Sequence, residues 1–378
     1  MTTRTHTVLD AEAHARVAAF EAFTQAHPLL MQADTDIRTL IDEPAGSAAF
    51  MVFGPTGVGK TTLVERVCRE LTRQRLASLV ADPQLAPPLL LTALAPVGSN
   101  FNWMDFLVRG LIALEEPGAG RKVLTPDDPT LEPDRYAARS IPGARRAFEA
   151  AVRERRPPAI FIDEAQHITN VGTGVRLLNQ LDFVKSLADA CESVFVLVGT
   201  YQLLALRNLN GQLGRRCRDV HLRRYRFDVA EEQADFASVV NTFAQQLPVD
   251  PELLLGSLPL LYRGSAGCVG NLKEWLVRAL VIALRGGGEI TLDHLERTAL
   301  PLDTQQEIAS EIAMGERRLA EAEAAGARDE VERLLGMGGP ADQAGGDAVP
   351  QKKAPAGRKP PAGRRGTRRP GGDPVGAR

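Results

Sequence analysis

Residues 50–62 read Phe-Met-Val-Phe-Gly-Pro-Thr-Gly-Val-Gly-Lys-Thr-Thr, and this stretch determines how the rest of the chain is interpreted. Its centre, Gly54 to Thr61, fits the pattern Gly-x-x-x-x-Gly-Lys-Ser/Thr at every fixed position. Apolar residues lead into the pattern, and residues 63–71 follow with the apolar spacing of a helix. Strand, glycine-rich loop and helix are the context that a phosphate-binding loop needs. The stretch therefore predicts a site for the phosphates of a nucleotide.

Most residues of such a loop have an expected role in binding the phosphates or Mg²⁺. Glycines let consecutive backbone N–H groups point inward at a phosphate, and the helix N-terminus adds partial positive charge. Lys60 can reach the β- and γ-phosphates, and the Thr61 hydroxyl can coordinate Mg²⁺. The residues expected to hold the nucleotide are Gly54, Pro55, Thr56, Gly57, Val58, Gly59, Lys60, Thr61 and Thr62.

An acidic pair, Asp163-Glu164, directly follows the apolar residues 159–162. A strand ending there would place Asp163 beside the phosphate loop, where it could hold Mg²⁺ directly or through water. Glu164 could then polarise the water that attacks the γ-phosphate. The alternative is a solvated turn at the end of a strand. The presence of Lys60 and Thr61 in the same chain favours the catalytic interpretation.

Two further features precede the last predicted strand. Thr200 ends the apolar run 193–199 and could touch the γ-phosphate or the attacking water, or else satisfy the local backbone. Arg215 and Arg216 belong to an arginine cluster that continues past the strand. A guanidinium fork suits a phosphate bound to a neighbouring subunit, although most charge clusters are solvated surface.

The predicted fold class is α/β, a P-loop NTPase core with a parallel five-stranded sheet, a small helical lid domain and a disordered basic tail. Apolar runs alternate with helical patterns, which indicates a parallel sheet whose strands are covered on both faces. The predicted strands are 50–53, 89–94, 159–162, 193–199 and 220–222. The predicted domains are a helical arm (1–48), an α/β domain (49–230), a helical lid (231–300), a solvated charged helix (301–335) and the tail (336–378). Packing of the arm in cis is favoured over docking to a partner.

Composition restricts the class of protein further. The 378 residues include four widely spaced cysteines without a Cys-x-x-Cys pair, which argues against a disulfide framework or zinc site. No apolar run is long enough for a membrane span, so we expect a cytoplasmic protein with no membrane partner. The formal net charge of −2 conceals nine Lys/Arg and one acid between Lys352 and Arg378.

Taken together, these motifs resemble the AAA+ ATPases. Three strings narrow the resemblance to the TnsC/TniB kind, regulators of Tn7-like transposition, and the similarity covers residues 25–300. The strings are Gly54-Pro-Thr-Gly-Val-Gly-Lys-Thr61, Ile162-Asp-Glu-Ala-Gln-His167, and Val198-Gly-Thr-Tyr201 with Gln212-Leu-Gly-Arg-Arg216. The resemblance implies rings or helical filaments on double-stranded DNA, and partners that are a target-selecting protein and a transposase.

The resemblance also implies roles for single residues. Lys60, Thr61, Asp163 and Glu164 would bind and hydrolyse ATP with Mg²⁺, and Thr200 would be the first sensor. Either Arg215 or Arg216 would act in trans on the ATP of the next subunit. Lys273 would be the second sensor, with lysine where arginine is usual; an ordinary solvated lysine is the alternative.

The resemblance also implies that the DNA contacts a long basic stretch, which follows the second helix of the α/β domain. The candidate residues are Arg121, Lys122, Arg135 and Arg139. Phosphate contacts of this kind position a protein without reading the sequence, and the basic tail could add salt-sensitive attraction, solvate the chain or dock a partner.

Two other functions fit parts of this pattern. A helicase loader or clamp loader would share the ATPase motifs and bind replication proteins. A nucleotide-gated scaffold would bind ATP and hydrolyse little of it, although the intact Asp163-Glu164 pair argues against this alternative.

Overall fold

A five-stranded parallel sheet forms the centre of the computed structural model, which describes residues 9–44, 49–96, 100–116, 140–169, 175–205, 219–286 and 288–323. The strands are β1 (Ala49–Phe53), β2 (Leu89–Thr92), β3 (Ala159–Asp163), β4 (Val194–Gly199) and β5 (Asp219–His221). Their order across the sheet is β2-β3-β4-β1-β5, and every neighbouring pair is parallel. The predicted α/β class with five parallel strands is confirmed.

Helices cover both faces of this sheet. One face carries α2 (Pro28–Asp42) and α3 (Lys60–Ala81), and the other carries α4 (Trp103–Ala113), α5 (Ile141–Arg155) and α7 (Val175–Cys191). A short helix, α6 (Gln166–Thr169), follows β3. The three central strands bury nearly every residue, as strands covered on both faces do.

The edge strand β2 departs from the expectation of full coverage. Its residues alternate between buried and exposed, and Leu90 remains 36% exposed. Successive side chains of a strand point to opposite faces, so an edge strand that is poorly covered on one face shows this alternation. The apolar run 89–94 therefore overstated both the burial of this strand and its length.

A second group of helices follows β5 and has its own apolar core. These helices are α8 (Ala230–Ala244), α9 (Pro251–Gly256), α10 (Leu258–Ser265), α11 (Val269–Arg285) and α12 (Leu292–Thr298). The helices α9 and α10 are divided at Ser257, because Pro259 lacks the N–H that a continuous helix would need.

The N-terminal arm packs in cis, as the sequence favoured. Phe20 of α1 (Ala11–Ala22) is 2% exposed and meets Phe243 edge to face at 5.7 Å between ring centroids. The helix α2 buries Ile37 and Leu40 in the same cluster as α3. The arm therefore contacts both the sheet domain and the helical group.

The last described helix, α13 (Leu302–Glu323), corrects another expectation. It was predicted to be solvated, yet Ile312 is 3% exposed and Ile308 and Leu319 pack against the cores beside the sheet. The spacing of Ile308, Ile312, Gly315 and Leu319 places them on one helical face. This helix and all those above belong to one compact unit that extends to Glu321.

Within the described ranges, no helix has the length and apolarity needed to cross a bilayer. The same residues contain no cluster of three or more His, Cys, Asp or Glu that could hold a metal ion by themselves.

Candidate nucleotide site

The phosphate loop lies between the carboxyl end of β1 and the first turn of α3. The Gly54 N–H donates to the Gly199 carbonyl oxygen at 3.3 Å, so the loop starts beside the end of β4. Gly57 and Gly59 have φ angles of +73° and +109°, a left-handed backbone that other residues adopt at a cost. The helix then begins at Lys60, so the N–H groups of its first turn face the loop.

Lys60 is folded back onto its own loop. Its ammonium group donates to the carbonyl oxygens of Gly54 at 3.1 Å and Pro55 at 2.8 Å, and the residue is only 8% exposed. Burial lowers the pKa of Lys60, while Glu164, Glu311 and Asp163 act in the opposite direction. The charge is thus held at the loop, where phosphate oxygens could replace the two carbonyl acceptors.

The two residues predicted to hold Mg²⁺ contact each other directly. The Thr61 hydroxyl donates to Asp163 Oδ2 at 2.8 Å, and Asp163 is 5% exposed at the end of β3. A hydroxyl oxygen and a carboxylate oxygen are hard ligands of the type that Mg²⁺ prefers. The donor set therefore fits this ion.

Glu164 is in an unusual backbone conformation beside this pair. Its φ angle of +54° lies in the left-handed region, and its N–H donates to Asp163 Oδ1 at 2.9 Å. Such backbone strain in a non-glycine residue persists only where surrounding contacts hold it, often at functional sites. The charge of Glu164 opposes the lowering of the Lys60 pKa by burial.

Gln166 connects Glu164 to the neighbouring strand, a role that the sequence analysis missed. Its side-chain amide donates to the Glu164 carboxylate, and its Oε1 accepts from the Thr200 N–H at 3.3 Å. Gln166 is 6% exposed, so solvent has little access to these two hydrogen bonds. The only signal in the sequence is its place two residues after Glu164 in the Asp-Glu-Ala-Gln string.

The Thr200 hydroxyl serves the local backbone in this structure. It accepts from the Gln202 N–H at 3.4 Å and caps the short 3₁₀ turn Tyr201–Leu203. Thr200 nevertheless lies at the carboxyl end of its strand, as Asp163 does, and these two ends are adjacent because β3 and β4 are parallel neighbours. Its role as a sensor of the γ-phosphate stays a prediction.

The helix α11 touches the phosphate loop through Asn271, which the sequence analysis did not single out. Its N–H donates to the Gly57 carbonyl oxygen at 2.9 Å, and its side-chain amide donates to the Thr56 carbonyl oxygen at 3.3 Å. There is no space at Gly57 for a larger residue, since a Cβ atom there would lie 1.6 Å from Asn271 Oδ1. The helical group after β5 is therefore anchored on the loop.

Lys273, two residues further along α11, donates to the Glu21 carbonyl oxygen at 2.6 Å. Burial lowers the pKa of this lysine. It borders a small cavity of about 40 Å³ between the N-terminal arm, the loop and α11. The cavity walls include Phe23, Gln25, Gly59, Thr62, Val269 and Lys273. Within the described part of the chain, Gln25 Oε1 is buried without a hydrogen-bond partner.

The remaining predicted residues lie outside the described ranges. These are Arg215 and Arg216, and the DNA candidates Arg121, Lys122, Arg135 and Arg139. Three arginines directly follow β5, and each is paired: Arg223 with Glu232 at 2.6 Å, Arg224 with Glu316 at 2.9 Å, and Arg226 with Asp228 at 2.7 Å.

The comparison with protein families decides the type of domain. Residues 45–207 match the family model described as an AAA domain. The chain contains an AAA-type P-loop ATPase domain. ATPases of this type use ATP with Mg²⁺, in agreement with the oxygen ligands at Thr61 and Asp163. The predicted enzyme class and cofactors are thereby confirmed, and the finer resemblance to transposition regulators remains a prediction.

Solved structures with a similar fold include two ORC proteins. The ORC2 protein of Aeropyrum pernix in its ADP form matches with a TM-score of 0.52 at 15% identity, over 75% of this chain and 71% of that chain. The ORC1 protein of the same organism in complex with DNA matches with a TM-score of 0.51 at 14% identity, over 73% and 65%. At these identities the similarity concerns the fold alone. Curated protein sequences give no significant match.

Proposed function

We propose that this chain is a cytoplasmic, ATP-dependent regulator of transposition that assembles on double-stranded DNA. In this role it would connect a target-selecting protein to the transposase. The observation that carries the ATP dependence is the hydrogen bond of Thr61 to Asp163 beside the loop onto which Lys60 is folded. The transposition role is supported by the Asp-Glu-Ala-Gln-His and Gly-Thr-Tyr strings, which resemble regulators of the TnsC/TniB kind.

The chemistry proposed for the site uses side chains of the phosphate loop and of the residues that end β3. Lys60 would exchange its carbonyl acceptors for β- and γ-phosphate oxygens, and Thr61 and Asp163 would hold the Mg²⁺ that neutralises phosphate charge. Glu164 would orient the attacking water and accept its proton. Gln166 would hold the Glu164 carboxylate in place from the side of Thr200.

The nucleotide base is assigned to the cavity beside Gly59 and Thr62. Gln25 lines this cavity and its Oε1 is buried without a hydrogen-bond partner, and a glutamine amide can accept from or donate to a nucleotide base. Because the cavity measures about 40 Å³, the N-terminal arm would have to move away from α11 to admit a base.

The assembly on DNA rests on residues with predicted roles. Arg121, Lys122, Arg135 and Arg139 would contact phosphates, and Arg215 or Arg216 would reach the ATP of the next subunit. The shared fold with an ORC1 protein solved in complex with DNA supports DNA as the class of ligand.

The proposal is tested by measuring ATP hydrolysis and light scattering with and without double-stranded DNA at low salt. We expect ATP and DNA together to produce large oligomers. Glu164→Gln should reduce turnover by about 100-fold or more while ATP still binds. The matched control is Glu154→Gln, an exposed acid on α5, and it should behave as the native chain. Monomers under both ligands, or unchanged turnover in Glu164→Gln, would contradict the proposal.

A second candidate is a loader or initiator of replication, which the fold similarity to the ORC2 and ORC1 proteins favours. Both functions predict ATPase activity on DNA. The genes that neighbour this one distinguish them, since a transposase gene supports the first function and replication genes support the second.

A further inference from the structure

The helix α13 crosses the mouth of the phosphate loop. The Thr56 hydroxyl, on the loop, donates to the Glu311 carboxylate at 3.1 and 3.4 Å. Ile312 is buried in a cluster that contains Val58 of the loop and Cys268 just before α11. A helix that lies outside the AAA-family match thus contacts the residues that would surround a triphosphate.

Two further contacts hold α13 one turn after Glu311 and Ile312. Arg224 donates from two nitrogens to the Glu316 carboxylate at 2.9 and 3.0 Å, a bidentate pair. Gly315 lies against the ring of Tyr201, so closely that an added Cβ atom would be 2.2 Å from Tyr201 Cγ. Since Tyr201 follows β4 and Arg224 follows β5, the helix passes over the carboxyl ends of both strands.

Glu311 on this helix carries a negative charge, as the phosphates of ATP do. The charge of Glu311 is among those that counteract the lowering of the Lys60 pKa by burial. Asp163 and Glu164 already supply two negative charges beside this lysine. The polyphosphate of ATP would add several more next to Glu311, and like charges at short range repel.

We propose that α13 is an intramolecular inhibitor of the ATP site, in which Glu311 occupies the phosphate loop until ATP displaces the helix. The inference rests on the ATP site of the proposed function. Docking of α13 and binding of ATP exclude each other, so each lowers the affinity of the other by the same factor. Loss of the Thr56 contact on ATP binding releases Ile312 and Glu316 as well, because they share one rigid helix.

The first test is the affinity of the full-length chain for ATP and Mg²⁺, measured by calorimetry. Glu311→Gln keeps the shape of the side chain and removes its charge, and should lower the Kd for ATP by about fivefold or more. Glu307→Gln is the matched control: the same charge change on the same helix, at an exposed position one turn away. The Kd of this control should equal that of the native chain.

A second variant undocks the helix without changing charge. Gly315→Ala raises helix propensity, because alanine is a better helix former than glycine. The new methyl group nevertheless collides with Tyr201. A tighter Kd for ATP in this variant, similar to that of Glu311→Gln, supports inhibition by the docked helix. A Kd equal to that of the native chain shows that docking does not oppose ATP.

Hydrogen exchange of the native chain provides the direct readout. A non-hydrolysable ATP analogue with Mg²⁺ should accelerate exchange of the amides in residues 305–319, and AMP, which lacks the β- and γ-phosphates, should not. Slower or unchanged exchange in this segment overturns the inference even if ATP binds and is hydrolysed, and leaves the proposed function standing. If neither the native chain nor Glu311→Gln binds ATP, both the proposed function and the inference fail.

Discussion

Two helices touch the phosphate loop, and they do so in opposite ways. The helix α11 approaches with neutral groups, the N–H and side-chain amide of Asn271, which donate to loop carbonyls. The helix α13 approaches with a carboxylate, Glu311, which accepts from the Thr56 hydroxyl. Donors that bind loop carbonyls leave the N–H groups of the loop available for phosphate. A carboxylate beside the loop instead repels the phosphates, which have the same charge.

The two helices also differ in how many apolar side chains they bury. The apolar face of α11 buries seven residues, among them Trp275, Leu276 and Leu280. In α13, Ile312 is the single apolar side chain that reaches full burial among the described residues. Hydrophobic stabilisation grows with the apolar area removed from water. We therefore expect α11 to stay packed as a permanent wall of the site, and α13 to undock from the site as a removable cover.

The largest effect should come from the permanent wall. Trp275 is 2% exposed, and its indole N–H donates to the Leu295 carbonyl oxygen at 2.9 Å. Trp275→Ala should lower the free energy of unfolding by about 3–5 kcal/mol, because it leaves a cavity and a lost hydrogen bond. Ile312→Ala should cost less than about 2 kcal/mol, since the whole helix can undock instead. Urea denaturation measures both; equal losses would remove the distinction between wall and cover.

The next effect is a dependence of stability on pH, which should come from the buried side chain of His27. His27 is buried against the Tyr225 hydroxyl at 3.0 Å, and burial lowers the pKa of His27 from 6.5 to about 4. The unfolded chain therefore binds the proton first, so stability is complete above pH 6.5 and is lost as the pH falls towards 4. The loss should reach roughly 3 kcal/mol for this residue. Urea midpoints at several pH values test this, with a flatter profile expected for His27→Gln.

The two loop contacts should affect ATP binding in opposite directions. Asn271→Ala removes the side-chain bond to the Thr56 carbonyl oxygen, so the loop is less well held and the Kd for ATP should rise by about fivefold. Glu311→Gln should lower it. Calorimetry on both variants, with Glu307→Gln as the control, measures the difference, and a change of the same sign in both would refute it.

The smallest effect concerns the ion pair that holds the cover. Arg224 and Glu316 have side chains that are 22% and 33% exposed. Glu316→Gln should therefore cost less than about 1 kcal/mol of global stability. It should still accelerate hydrogen exchange in residues 305–319, and added salt should mimic the substitution in the native chain. Exchange that is insensitive to both salt and substitution would show that this pair does not hold α13.

Much of the fold and the centre of the site follow from local patterns. The glycine-rich loop, the acidic pair after β3 and the apolar strands were predicted because each occupies a few consecutive residues of demanding chemistry. The half-exposed strand β2 was overestimated because apolar residues alone do not reveal an edge. The helix α13 was taken for a solvated helix because its charged residues far outnumber Ile308, Ile312 and Leu319.

The amino-acid sequence by itself determined the ATPase class, since the phosphate-loop pattern that ends in Lys60 and Thr61 is recognisable from its immediate neighbours. The catalytic roles assigned to Asp163 and Glu164 stay predictions. Only the tertiary structure decided what surrounds this loop. Thr56 and Glu311 are separated by 255 positions, and Gln166 meets Thr200 across two strands. Contacts of this kind depend on how helices and strands pack in space. Local residue patterns specify the strands and helices themselves, but not which exposed acid comes to lie on the phosphate loop.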